Sequence, residues 1–190
     1  MLAYDADLEL FRDNFKRFMS EHIAPHYDQW EREGLMPRSV WTLLGENGYL
    51  CIDVPEEYGG YGVPTHYSLM FVEESARAGY CALSTGISCH SEIAAPYIQH
   101  IGTEEQKQYW LPKMVSGEAV GAIGMTEPGA GSDLQAMRTS AILQGDHYIL
   151  NGSKTFISNG QHADVVVLAV KTDPQARAKG VSLMLVDTHL

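Results

Sequence analysis

The run Ala119-Val-Gly-Ala-Ile-Gly-Met-Thr126 marks the point where the character of the chain changes. Upstream of this run, apolar residues recur at spacings of three and four, as at Leu8, Phe11, Phe15 and Phe18, which predicts amphipathic helices. The run itself is short, mostly apolar and without helix-capping residues, so it predicts a β-strand. We therefore expect a helical first part and a β-sheet second part, divided near residue 118.

Short β-branched segments follow this run. They are Tyr148–Leu150, Thr155–Ile157, Val165–Val170 and Val181–Val186. Turn sequences separate them and no long helical pattern intervenes, which favours an antiparallel sheet over a parallel α/β sheet. The predicted fold class is α+β: an all-α helical bundle over residues 1–118, then an antiparallel β-barrel-like domain over residues 119–190 that ends before the sheet closes.

Composition and charge limit the classes of function. Of the 190 residues, 45% are hydrophobic and 19% charged, which is typical of a folded globular protein. With 24 acidic and 13 basic residues the net charge is -11, which is unfavourable for binding nucleic acid or an anionic membrane surface. No apolar run predicts a membrane span, and no signal peptide is visible. Three cysteines without metal-type spacing indicate reduced thiols and a cytoplasmic location.

Two nucleotide-binding motifs are matched only in part. Gly129-Ala-Gly131 begins like a dinucleotide fingerprint, but Leu134 stands where the third glycine belongs and no helix pattern follows. Asn151-Gly-Ser-Lys-Thr155 resembles the end of a P-loop, but His147 stands where the leading glycine is needed. Neither motif predicts a nucleotide site of its class.

Metal and hydrolase signals are also weak. His22 and His26 have the spacing of a zinc-binding helix, but Ile23 replaces the expected glutamate and Pro25 disrupts the helix. No Gly-x-Ser-x-Gly nucleophile elbow occurs. We expect no metal site.

The segment Gly124-Met-Thr-Glu-Pro-Gly-Ala-Gly-Ser-Asp133 directly follows the predicted strand. Its hydroxyl groups, together with backbone amides that glycines leave accessible, suit a cradle for a polar heterocycle or an anion. The alternative is a tight loop that needs glycine only for its backbone conformation. The residues alone do not decide between a ligand-binding loop and a structural turn.

Five stretches, in the same order along the chain, resemble landmarks of the acyl-CoA dehydrogenase family. They are Pro55–Gly60, Gly102–Lys107, Trp110–Pro112, Met125–Asp133 and Leu150–Lys154. The similarity runs nearly end to end, and residues 149–160 with 132–135 are most similar to the long-chain branch. The resemblance implies a helical N-terminal domain, a middle β domain and a C-terminal helical domain, with FAD held between them, so this chain would carry only the first domain and part of the second.

The same resemblance implies two flavin-contacting segments. They comprise Ile123, Gly124, Met125, Thr126, Glu127, Pro128, Gly129, Ala130, Gly131 and Ser132, followed by Phe156, Ile157 and Ser158. Thr126 would hydrogen-bond the polar edge of the flavin, and Ser132 would also contact the acyl-CoA substrate. Phe156 stands where many family members have tryptophan, and either ring can pack on the flavin.

The family chemistry implied is α,β-dehydrogenation of a fatty acyl-CoA to the trans-2-enoyl-CoA, a step of fatty acid β-oxidation. A carboxylate removes the α proton, the β hydrogen passes to the flavin as hydride, and an electron-transfer flavoprotein accepts the electrons. The family's base lies in its C-terminal half, so no catalytic residue is assigned here, and Glu127 is expected to structure its loop rather than act as the base. The family's usual assembly is a homotetramer.

Three hypotheses of function follow. The first is part of an acyl-CoA dehydrogenase that is inactive as the 190-residue chain alone. The second is a flavin- or acyl-CoA-binding fragment without turnover. The third is a related acyl-CoA oxidase or flavin monooxygenase. The sequence does not fix the acyl chain length.

Overall fold

The structure, a computed structural model, describes residues 6–189. Its contacts divide the chain between Ala119 and Val120 into two compact units. Within residues 6–189 no helix is both long enough and apolar enough to cross a membrane.

The first unit is built of helices. They are α1 (Ala6–Phe18), α2 (Tyr27–Glu33), α3 (Ser39–Glu46), α4 (His66–Arg77), α5 (Cys81–Ser88), α6 (Ala95–Ile101) and α7 (Glu104–Ser116). A π-helical turn, Met19–Ile23, extends α1, and a second one, Cys89–Ala94, joins α5 to α6. The helical prediction for this part of the chain is confirmed.

Sequence signals account for the position and ends of several of these helices. The predicted stripe of α1 faces the core: Phe15 and Phe18 are buried, and Phe15 packs edge-on against Phe71 of α4 at a ring-centroid distance of 4.7 Å. The predicted capping box of α7 is present, because the Thr103 hydroxyl accepts from the Gln106 amide and the Gln106 side chain accepts from the Thr103 amide.

The second unit is built around one sheet. Its strands are β1 (Gly121–Gly124), β2 (Ser140–Gln144), β3 (His147–Asn151), β4 (Val165–Lys171) and β5 (Val181–Asp187). β4 is central, and β5 pairs with it along its whole length in antiparallel register. β1 pairs with β4 in parallel from Gly121↔Val165 onward, and β2 meets β4 in parallel at Ser140↔Lys171. β3 is the antiparallel partner of β2.

The predicted antiparallel, barrel-like sheet is therefore wrong in two respects. The sheet is mixed, and within residues 6–189 it is open, with the order β1-β4-β2-β3 and β5 beside β4. The physical reason is the connection between β1 and β4. The hairpin β2–β3 lies between them in sequence, so β1 reaches β4 by a crossover and not by a turn, and a crossover allows parallel pairing.

Two strand assignments also differ from the prediction. Thr155–Ile157 forms no strand, because Phe156 adopts a left-handed backbone with φ 56° that a β-ladder cannot accommodate. Ser140–Gln144 is a strand that the sequence analysis missed, and a turn at Gly145, with φ 67°, connects it to β3.

Candidate functional site

Two of the predicted segments lie side by side in the second unit. The first, residues 125–132, follows β1 and is called the glycine loop. The second, residues 155–158, lies between β3 and β4 and is called the phenylalanine segment. The Thr155 amide donates a hydrogen bond of 2.9 Å to the Thr126 carbonyl, which joins the two segments directly.

The glycine loop closes on itself through its backbone. The Glu127 amide donates to the Ala130 carbonyl at 2.8 Å, and the Ala130 amide donates to the Glu127 carbonyl at 3.1 Å. Pro128 and Gly129 form the exposed tip between them. Below the tip lies a small apolar cluster, which comprises Ala130, Met137 and Ala169, with Met125 and Val181 packed against it. The loop is thus anchored from beneath and presents its tip to solvent.

Glu127 organises this loop from the inside. Its carboxylate is buried and accepts hydrogen bonds from the Arg138 amide at 2.6 Å, the Thr139 amide at 2.9 Å and the Lys154 ammonium at 2.9 Å. Burial alone would raise the pKa of Glu127, but these hydrogen bonds from Thr139, Arg138 and Lys154 stabilise the charged form and lower the pKa to about 2. A carboxylate with this pKa and this set of partners is poorly suited to accept a proton near neutral pH.

Lys154 reaches the glycine loop from the end of the β2–β3 hairpin. Its ammonium donates to the Glu127 carboxylate and, at 2.9 Å, to the Met125 carbonyl. The side chains of this ion pair are only 9% and 6% exposed. The sequence identified Lys154 only as part of the motif Leu150–Lys154 and did not predict its contact with Glu127. No local sequence pattern links a lysine after a hairpin to a glutamate in a distant loop.

The glycine that ends β1 and the glycines of the loop differ in what surrounds them. A Cβ atom at Gly124 would lie 2.7 Å from Leu168 Cδ1, so this glycine serves the packing of β1 on β4. A Cβ atom at Gly129 or Gly131 would meet no atom within 4 Å, and neither residue has a left-handed backbone. The fold of the described chain therefore does not require glycine at 129 or 131, and both backbones remain open to close approach by another molecule.

Phe156 is the most exposed large apolar residue of the described chain, with 93% of its surface accessible. Its backbone is left-handed, a conformation that is uncommon for a bulky residue and that costs about 1–3 kcal/mol. An aromatic ring presented to solvent on a strained backbone, beside an open glycine loop, is suited to stack on a flat ring system.

The remaining predicted residues divide between support and surface. Ile123 lies in β1 opposite Val167, which makes it part of the sheet. Thr126 and Ile157 are half-buried, whereas Ser132 and Ser158 are exposed. The structure thus brings a hydroxyl-bearing loop, open glycine backbone and an exposed aromatic ring into one region of the second unit. That combination suits a planar polar heterocycle.

Comparison with sequence families gives two matches that together span nearly the whole chain. The N-terminal domain of acyl-CoA dehydrogenases matches residues 5–118, and the middle domain of the same enzymes matches residues 122–190.

One curated relative is the mitochondrial long-chain specific acyl-CoA dehydrogenase of Sus scrofa. It is 41% identical over 189 residues, which cover 98% of this chain and 44% of the relative. The chain therefore spans less than half the length of that enzyme.

Two solved structures show the same fold. An acyl-CoA dehydrogenase from Geobacillus kaustophilus superposes with a TM-score of 0.94 at 49% identity, over 98% of this chain and 49% of that one. A glutaryl-CoA dehydrogenase from Mycobacterium smegmatis in complex with FADH2 superposes with a TM-score of 0.88 at 30% identity, over 97% of this chain and 46% of that one.

Proposed function

We propose that this chain, which belongs to the acyl-CoA dehydrogenase family, contributes part of the FAD and acyl-CoA site of an enzyme that dehydrogenates an acyl-CoA. In this proposal residues 1–118 form the N-terminal domain, and residues 119–190 form an incomplete middle β domain. FAD binds beside the glycine loop and the phenylalanine segment.

The observation that carries the proposal is the exposed ring of Phe156, which follows directly after the residue that hydrogen-bonds the glycine loop at Thr126. FAD fits these residues on two counts. The space where a Cβ of Gly129 or Gly131 would lie is free, so a ligand can approach the backbone closely. The ring of Phe156 is free to stack on the isoalloxazine, because no other part of the described chain covers it.

The chain's own residues bind and orient in this proposal. FAD, when bound, supplies the acceptor for the hydride that leaves the β carbon of the substrate. The Thr126 hydroxyl hydrogen-bonds the polar edge of the flavin, and Ser132 contacts both the flavin and the acyl-CoA. Glu127 holds the glycine loop, and its low pKa leaves it outside the proton transfer. We place the base in the family's C-terminal half.

The proposal also specifies the acyl group of the substrate and the electron acceptor. We propose a fatty acyl-CoA, converted to the trans-2-enoyl-CoA, because of the 41% identity to a long-chain enzyme. The glutaryl-CoA dehydrogenase from Mycobacterium smegmatis has the same fold at 30% identity. The fold by itself therefore supports acyl-CoA dehydrogenation in general and not one acyl group. An electron-transfer flavoprotein as acceptor and a homotetramer are proposed from family membership. The cytoplasmic location stays a prediction, and the relative from Sus scrofa is a mitochondrial enzyme.

A flavin titration tests the proposal. The purified 190-residue chain is mixed with FAD, and the absorbance near the flavin bands is followed before and after addition of an acyl-CoA. We expect the chain to perturb the flavin spectrum, and a long-chain acyl-CoA to perturb it further than glutaryl-CoA does. A flavin spectrum that stays identical to that of free FAD at saturating protein would overturn the FAD assignment. Equal responses to both thioesters would overturn the fatty acyl preference alone.

A further inference from the structure

We propose that Lys154 is a positioning residue that holds the glycine loop and the phenylalanine segment in register through a single ammonium group. The inference rests on the proposed FAD site, since it assigns Lys154 the task of placing Phe156 against the flavin. Its first test needs no flavin, so it can succeed or fail independently of the proposed function.

The contacts of Lys154 and its neighbour cover three consecutive residues of the glycine loop. The ammonium donates to the carbonyl of Met125 and to the carboxylate of Glu127, each at 2.9 Å. Between them, the carbonyl of Thr126 accepts from the Thr155 amide, also at 2.9 Å. No loop residue from 125 to 127 is therefore free to shift along the phenylalanine segment without breaking one of these bonds.

Burial decides whether such a contact has any effect. Exposed ion pairs contribute little, because water and salt screen them. The side chains of Lys154 and Glu127 are 9% and 6% exposed, and the carboxylate also accepts hydrogen bonds from two backbone amides. Removing one partner from a buried, hydrogen-bonded pair leaves an uncompensated charge, which is strongly destabilising. The ammonium therefore acts as a fixed point between the two segments.

Phe156 lies two residues beyond this fixed point. Its backbone is left-handed, and its position depends on how the preceding residues Lys154 and Thr155 are held. The exposed ring has no packing of its own to orient it. On the N-terminal side of Phe156, the contacts of Lys154 and Thr155 hold its backbone near Thr126, and the Asn159 side chain anchors the other side through its 3.2 Å hydrogen bond to the Gly121 carbonyl.

The chain offers a matched control in Lys171. This lysine is likewise buried, lies in the same unit, and donates from its ammonium to a backbone carbonyl, that of Arg177. Arg177 belongs to the turn between β4 and β5. Lys171→Met therefore removes a comparable buried ammonium without touching the glycine loop through its side chain.

The first test is amide hydrogen exchange in the flavin-free 190-residue chain. We expect Lys154→Met to speed exchange at the Thr155 amide by about tenfold, the size of effect that loss of a charge-assisted hydrogen bond produces. Lys154→Arg keeps the charge and should recover most of the protection. Lys171→Met should leave Thr155 as protected as in the wild type. The double variant Glu127→Gln, Lys154→Met removes the stranded charge, so it keeps the test open if Lys154→Met alone does not fold.

The second test is FAD affinity measured on the same variants. We expect Lys154→Met to weaken FAD binding by about tenfold and Lys171→Met, at an equal loss of melting temperature, to leave it unchanged. Unchanged protection of Thr155 in both Lys154→Met and the double variant would overturn the proposal. FAD affinity that falls equally in the Lys154 and Lys171 variants would also overturn it. If the wild-type chain binds no FAD, the proposed function fails, and the exchange result still decides the role of Lys154.

Discussion

The Thr155 amide donates a 2.9 Å hydrogen bond to the Thr126 carbonyl, and Phe156, with its exposed ring, follows Thr155 directly in the chain. The loop hydroxyl and the aromatic ring come from segments that β2 and β3 separate in sequence. The fold thus brings Thr126 and Phe156 together from segments that are distant in sequence, as contact of both residues with one flat cofactor requires.

Thr126→Val tests the hydroxyl of the glycine loop. Valine keeps the branched shape and the backbone carbonyl, so the bond from Thr155 should persist, but the hydrogen bond to FAD is lost. We expect FAD affinity to fall by about 0.5–1.5 kcal/mol. Titration of FAD into both proteins measures this change, and hydrogen exchange at Thr155 is the control. Wild-type affinity in the variant would show that Thr126 does not bond the flavin.

Phe156→Ala tests the exposed ring. Because the side chain is 93% exposed, its removal should change the free energy of unfolding by no more than about 0.5 kcal/mol. FAD affinity should fall by about 0.5–1.5 kcal/mol, and Phe156→Trp should retain it. Tyr148→Ala removes a half-exposed ring from β3 and serves as the control, for which we expect no effect on FAD. Equal losses in Phe156→Ala and Tyr148→Ala would contradict stacking.

Gly131→Ala tests whether glycine at this position is required for FAD binding and not for folding. The added methyl group meets no atom within 4 Å, so stability should not fall, and the restricted unfolded chain should raise the free energy of unfolding by up to about 1 kcal/mol. If a ligand approaches the backbone here, the methyl group should weaken FAD binding by about 1–3 kcal/mol, the range of an overpacked contact. Gly124→Ala should do the opposite: its methyl group presses on Leu168, so stability should fall. Unchanged FAD affinity in Gly131→Ala would argue that the loop is open for another reason.

The low pKa of Glu127 predicts acid sensitivity of the second unit. A carboxyl group whose pKa falls from 4.5 to about 2 on folding stabilises the folded state fully above about pH 4.5, and this contribution is lost as the pH falls towards 2. Its size is up to about 3 kcal/mol. Glu127→Gln should remove this part of the pH dependence, whereas Asp146→Asn, at a fully exposed carboxylate, should remove little of it.

Hydrogen exchange of the β4 amides measures this effect, because their protection reports the unfolding of the second unit separately from that of the first. The comparison is made at pH 5 and pH 3 for the wild type and both variants. An equal decline of protection in wild type and Glu127→Gln would show that the Glu127 carboxylate is not the group responsible.

We expect no turnover by the 190-residue chain alone. A positioned general base contributes about 10²–10⁴-fold to such a reaction, and the carboxylate within the glycine loop is held ionised by three donors. The assay combines the purified chain, excess FAD, a long-chain acyl-CoA and an artificial electron acceptor. Turnover that Glu127→Gln abolishes would make Glu127 the base after all.

The elements that depend on local pattern were predictable from the sequence. The stripe containing Phe15 and Phe18 identified α1, and the pair Thr103 and Gln106 identified the start of α7, because both signals act within a few residues. Helix-to-sheet organisation followed from the change in hydrophobic period at residue 119.

What the sequence could not reveal depends on contacts between distant residues. The parallel pairing of β1 with β4 has no local signature, so the sheet was expected to be antiparallel. The ion pair of Glu127 with Lys154 joins two segments that only the fold brings together. Phe156 was placed in a strand because its neighbours favour one, whereas its backbone is left-handed. The sequence therefore predicted which residues form the candidate site, but not the strand pairing and the ion pair that hold them in place.

The parallel pair of β1 and β4 has a consequence for how the molecule is made. The ribosome delivers β1 and the glycine loop well before it delivers Val165, the residue that pairs with Gly121. Pairings between residues far apart in sequence close late, because the entropy of the intervening chain must be lost first. During synthesis the glycine loop therefore lacks its supporting strand β4. Until β4 has been synthesised, the apolar strand β1 is unpaired and can form non-native contacts or aggregate.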